Sequence, residues 1–169
     1  SPVLLQVALV VAACTLHTVV GAIYTAVSTT SGIHMTDAYP IDDAPTPDPG
    51  YDPSTVVEIQ LEGLANNDEP VDNAGIATAY NFASPANRRS TGPFDRFVKM
   101  VTGPQYAPMV DHVAATTGPL EQNEHTAEQR VTLTGADGRV ATYRFSLSDD
   151  RSGSLDGYWL TDRVLVVKS

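Results

Sequence analysis

The chain has 169 residues, twenty Asp and Glu against ten Lys and Arg, a formal net charge of −10 at pH 7 and a single cysteine. A duplex demands a basic footprint, so nucleic acid is excluded as an expected partner, and Cys14 alone makes no intrachain disulfide. The length suits one domain that buries its own core without metal or disulfide support.

The acid excess goes with a preference for Arg over Lys, since Lys99 and Lys168 are the only lysines. Proteins of salt-loving organisms have this composition: carboxylates hold hydration, and molar salt screens their repulsion to a Debye length of about 3 Å. It implies stability that rises with salt; the plainer alternative is an ordinary acidic domain.

Residues 1–34 contain no Asp, Glu, Lys or Arg. Val3 to Val27 is mostly apolar and close to the roughly 20 residues that a bilayer-spanning helix requires. Three readings stay open. A membrane anchor or uncleaved signal fits the length but lacks a positive flank. Val11-Ala12-Ala13-Cys14 suggests a lipoprotein signal, yet apolar residues continue past Cys14 where a polar tether belongs. In the third reading the native protein starts at Met35, at the charge boundary, and the upstream residues are non-native. The expected location is cytoplasmic, with membrane anchoring through residues 3–27 as the alternative.

Residues 35–53 read as a linker. Thr36 to Pro53 holds five Asp and five Pro, with too little apolar content to offset the entropy of ordering it, which predicts a stiff, solvated arm. The domain proper then spans residues 54–169. Asp52-Pro53 opens a helix as cap and first residue, and Val57, Leu61 and Leu64 form its apolar stripe up to Asn66-Asn67-Asp68. A second helix starts near Asp72 or Asn73 and carries Ile76, Ala79, Tyr80 and Ala83.

Ser84-Pro85 stops that helix and starts a new turn, because Pro85 excludes Ser84 from the α region. Gly92-Pro93 repeats the device, and Phe94, Phe97, Val98 and Val101 then fall on one helical face that ends at Gly103-Pro104. The two Pro-started helical segments meet through a turn at Asn87-Arg88-Arg89-Ser90, and three helices are counted ahead of the strands.

After Pro108 the period changes to two. Met109 to Thr116 reads as a first strand, Val131 and Leu133 mark a second, Tyr143, Phe145 and Leu147 a third, and Tyr158 to Val167 a fourth. Gly135-Ala136-Asp137-Gly138 supplies a hairpin turn, and Asp149 to Gly157 a looser connection. The expected fold class is α+β, three helices packed on an antiparallel sheet of about four strands.

The run FASPANR, followed by Gly92, Phe94, Met100-Val101 and Tyr106-Ala107-Pro108, resembles the DUF4864 family over roughly Ser54 to Val167. That family looks like a member of the NTF2-like, or cystatin-like, superfamily. The resemblance implies helices packed into the concave side of a curved sheet, with a cone-shaped cavity. Relatives such as ketosteroid isomerases and dehydratases use that cavity for acid/base chemistry. No catalytic residues are established for DUF4864, so none carry over. A homodimer through the outer sheet face is also implied by the superfamily.

No GxGxxG, P-loop, HExxH, CxxC pair or GxSxG occurs, so nucleotide, zinc-hydrolase and serine-hydrolase readings have no footing and no metal or cofactor is expected. Asp162, which period two places on one face with Leu160 and Val164, and His112 are the weak catalytic candidates. Tyr80, Phe97, Tyr143 and Trp159 are the candidate pocket lining. The structural alternatives are an Asp162 pair with Arg144 or Arg163, and core roles for Tyr80 and Trp159. Arg88 and Arg89, before the helix at Pro93, are candidates for binding an anion or for bonding helix-end carbonyls. No convergent set of acids and bases can be named. The reading is therefore a non-catalytic module that binds a small apolar ligand or a protein partner; the alternative is a cofactor-free isomerase or dehydratase.

Overall fold

The computed structural model describes residues 40–149 and 153–168. The uncharged stretch with Val3–Val27, Cys14 and the Met35 start lies outside the described residues, as do residues 35–39 of the linker. Pro53–Ala65 (α1), Ala74–Asn81 (α2), Pro85–Thr91 (α3) and Phe94–Val101 (α4) come first. Ala114–Gln122 (β1), Thr126–Thr134 (β2), Val140–Asp149 (β3) and Trp159–Val166 (β4) follow, with short 3-10 turns at Ala107–Met109 and Gly153–Leu155. Among the described residues no helix is long and apolar enough to cross a membrane.

The first helix starts where a cap and a proline coincide. Asp52 Oδ1 accepts from the Thr55 N–H at 2.8 Å, and Pro53 occupies the first position, where no donor is needed. Val56, Val57, Leu61 and Leu64 are buried, and so is Gln60 on the same face. Asn67 then holds the α1–α2 turn: its Oδ1 accepts from the Ile76 N–H at 3.1 Å, and its carbonyl accepts from the Gly75 N–H at 2.9 Å. That turn brings α2 so close to α1 that a Cβ at Gly75 would fall on the Gly63 carbonyl. Only glycine fits there.

The sequence counts three helices ahead of the strands; the described residues form four. Ser84 Oγ caps the Asn87 N–H at 3.2 Å, and the seven residues Pro85–Thr91 form a helix of their own, so the expected turn at Asn87–Ser90 is helical. In α4 the expected stripe forms, with Phe97 and Val101 buried and Phe94 and Val98 partly buried against the core.

The four strands form an antiparallel sheet in sequence order, β1-β2-β3-β4. Ala127, Val131 and Leu133 of β2 and Tyr143, Phe145 and Leu147 of β3 are buried with the helical apolar residues in one core. Glu128, Arg130 and Thr132 alternate with them on the other face. The β2–β3 hairpin closes with Gly138 at φ +80 and the Gly135 N–H donating to Arg139 O at 2.9 Å.

The first strand is displaced from the expected Met109–Thr116 to Ala114–Gln122. Pro108 and Met109 are taken into a 3-10 turn, and Asp111 adopts φ 52 with its N–H donating to Leu64 O at 2.8 Å, which ties this corner to α1. The strand then runs through Gly118-Pro119, which the register shift between Thr117 and Leu120 accommodates as a bulge.

The described part of the linker is not wholly solvated. Asn81 Nδ2 donates to Pro45 O at 2.9 Å, and the Tyr51 ring lies 6.4 Å from that of Phe82. Tyr51 supplies apolar contact that the Asp- and Pro-rich composition conceals.

Candidate functional site

The site is built on the free side of β4. Opposite Ser146 and Leu147 the register slips, so that Ser146 faces Arg163, Leu147 faces Thr161, and Asp162 has no cross-strand partner. Thr161 then turns its backbone outward: its N–H donates to Phe82 O at 2.8 Å, and its carbonyl accepts from the Ser84 N–H at 2.9 Å and from Asn87 Nδ2 at 3.0 Å. The chain leaving α2 thus lies alongside β4 as a single parallel bridge, Ala83 to Thr161. Gln60 Nε2 ties α1 to the same residue through Thr161 Oγ1 at 2.9 Å. Farther along, the Tyr106 hydroxyl donates to Val164 O at 3.0 Å.

Between these ties the helices and β4 leave a cleft of about 350 Å³. Leu64, Phe97, Met100, Val101, Met109 and Phe145 supply its apolar lining. Gln60, Asn87 and Thr161 supply neutral polar groups, and Asp162 and Arg163 lie on the β4 side. Asp162 is the single carboxylate among the lining residues.

Of the residues singled out in the sequence, Phe97 and Asp162 line this cleft, while Tyr80, Tyr143, Trp159 and His112 do not. The period-two grouping of Asp162 with Leu160 and Val164 fails because the bulge falls inside it: Leu160 and Thr161 are both buried and Asp162 is half-buried. Among the described residues Asp162 forms no ion pair with Arg144 or Arg163. His112 is buried, with Nδ1 2.8 Å from Met109 O, and serves the corner before β1. The Tyr80 ring packs edge-on against Phe94 and Phe97 at 5.5 and 5.3 Å.

Arg88 lies over the Tyr80 ring at 4.7 Å, and its Nε and Nη2 donate to Tyr80 O at 3.1 Å and Asn81 O at 2.8 Å. It closes the C-terminal carbonyls of α2, one of the two roles expected for it. Arg89 is exposed on α3. Tyr143 is buried, and its hydroxyl donates to Gln105 O at 2.9 Å. Tyr106 stacks on it at 6.1 Å. Burial raises both phenol pKa values; a Gln105 hydrogen bond partly offsets this for Tyr106, and Arg139 does so for Tyr143.

Gln60 and Thr161 were not singled out, and Asn87 and Tyr106 stood only in a turn and in the family motif, not as site residues. Gln60 carried a usable signal, since it falls inside the stripe of Val57, Leu61 and Leu64. Thr161 carried none, because its role depends on a bulge that period two does not reveal. Among the described residues no three His, Cys, Asp or Glu side chains gather as metal ligands.

The described residues thus form an α+β domain with four helices, a four-stranded antiparallel meander and a partly apolar cleft at the β4 edge. Residues 52–169 match the family model described as a domain of unknown function, DUF4864, and the chain belongs to that family. No curated protein and no solved structure matches the chain.

Proposed function

We propose that this domain is a binding module that takes a small, largely apolar ligand into the cleft between β4 and the helices. The carrying observation is the lining itself: apolar side chains from α1, α4 and β3 meet around a volume of about 350 Å³, at the small end of ligand sites. Asp162, with no cross-strand partner, gives such a ligand one acceptor for a hydroxyl or amine. The resemblance to NTF2-like domains, with their cavity between helices and sheet, supports the same reading. The alternative, a small isomerase or dehydratase, would use Asp162 as base and would need a donor of the same lining, Asn87 or Arg163, to take up the developing charge.

An environment-sensitive apolar fluorophore tests the proposal. The chain is expected to bind it saturably, and Ala79→Phe, which fills the cleft from α2, is expected to abolish binding while the melting temperature is kept. Equal binding by both proteins would place the dye elsewhere and overturn the reading. Asp162→Asn is expected to keep apolar binding and to lose preference for ligands bearing a donor.

A further inference from the structure

On the outward face of the sheet, Arg130 of β2 stands directly opposite Arg144 of β3. Arg163 of β4, opposite Ser146, lies one row farther along the same face. Directly opposed side chains have Cβ atoms about 5 Å apart, close enough for two guanidinium groups to meet at one point, and like charges so placed are destabilising. This is an unexpected arrangement in a chain with a net charge of −10.

Nearby acids do not explain it. The ion pairs among the described residues join His125 to Glu124 and Asp149, and Arg139 to Asp137; none includes Arg130, Arg144 or Arg163. The next row pairs Glu121 with Glu128, and Glu128 Oε1 accepts from Ser146 Oγ at 2.9 Å. Arg144 Nε is shielded from solvent and has no acceptor. A shielded donor left unpaired is unfavourable, more so when charged, so the Arg144 head is not satisfied by the groups of the described residues.

We propose that Arg130 and Arg144 form a binding site for a phosphate-type oxyanion carried by a small molecule, with Arg163 at its rim. Guanidinium forks match the geometry of such oxygens and donate two parallel hydrogen bonds each, and one dianion between the two forks removes their mutual repulsion. Arg130 and Arg144 are absent from the lining of the apolar cleft, which the site meets only through Arg163 at the β4 edge, so changes at those two arginines leave the cleft intact and the two readings fail separately.

Inorganic phosphate is the probe, titrated into the full chain against chloride at matched ionic strength, with melting temperature and phosphorus NMR linewidth as readouts. Phosphate is expected to raise the melting temperature beyond chloride and to broaden on binding. In Arg130→Ala, an exposed position, apparent affinity is expected to fall by about tenfold or more, as loss of a hydrogen bond to a charged group implies. Arg144→Met keeps the apolar stem; it is expected to lose the phosphate response and to be no less stable than the parent without phosphate. Identical responses to phosphate and chloride would overturn the proposal. So would an unchanged phosphate response in both variants, or a large phosphate-free loss of stability in Arg144→Met. A dimer that covers both arginines without phosphate would overturn it as well.

Discussion

Gln60 and Thr161, 101 residues apart, share a buried hydrogen bond: Gln60 Nε2 donates to Thr161 Oγ1 at 2.9 Å, and that hydroxyl lies 3.3 Å from Gln60 Oε1. The contact fixes α1 to β4 beside the cleft. Thr161→Val is expected to cost about 1–3 kcal/mol, because it leaves the Gln60 amide incompletely paired. Combining it with Gln60→Leu is expected to cost less than the two single changes added. Urea melts of the four proteins measure this, and strict additivity would mean the two side chains are not energetically coupled.

Phe97 and Arg96 are neighbours with opposite fates. Phe97 is 7% exposed and contacts both the core and the cleft, whereas Arg96 is exposed. Phe97→Ala is expected to lose about 3–5 kcal/mol and Arg96→Ala within about 0.5. Comparable losses in urea would mean that α4 does not seat as described.

Gly75→Ala is expected to destabilise by about 1–3 kcal/mol or more, the range for overpacking, since its methyl would have the Gly63 carbonyl carbon 2.6 Å away. An alanine at Gly138, where nothing lies within 4 Å, meets only the φ +80 backbone penalty and serves as the comparison. A Gly75→Ala melt equal to the parent would refute the close α1–α2 approach.

Much of this was legible from local rules. The caps at Asp52 and Ser84, the α4 stripe and the β2–β3 hairpin each rest on residues within a few positions, so the sequence displays them directly. What it concealed depends on partners distant in the chain. The α2–α1 approach at Gly75, the bulge at Asp162 and the pairing of Gln60 with Thr161 are consequences of docking. The cleft was legible through Phe97 and Asp162, while Tyr80, Tyr143 and Trp159 carried aromatic character that says only that they pack. The helical start at Ser84-Pro85 was legible, but its extent to Thr91 was hidden because Asn87-Arg88-Arg89-Ser90 is as suited to a turn as to a short helix.

Tyr106 and Tyr143 make alkaline stability a readout of the corner they share. Burial favours the neutral phenol in the folded state, raising both above the ordinary 10.0. The associated stabilisation is complete below that value and is lost as pH rises from it through the folded-state values. Tyr143→Phe and Tyr106→Phe are expected to lower stability modestly at neutral pH, by loss of one hydrogen bond each, and to flatten the decline above about 10. An alkaline slope unchanged in both variants would remove the tyrosines as its source.

The melting temperature is expected to climb steadily from low salt to molar KCl, because twenty acidic groups face ten basic ones and repulsion among them is screened. A flat or falling curve would leave the acid excess without a role in stability.

The irregularities at the two outer strands also govern how the chain behaves when crowded with copies of itself. On β1, Pro119 has no N–H to offer and stands in a bulge. On β4, the outward groups of Thr161 are taken by Phe82 and Ser84, and Val164 O by Tyr106. Neither margin therefore offers an uninterrupted ladder on which another molecule's strand could grow, so the sheet is protected against edge-to-edge aggregation without closing into a barrel.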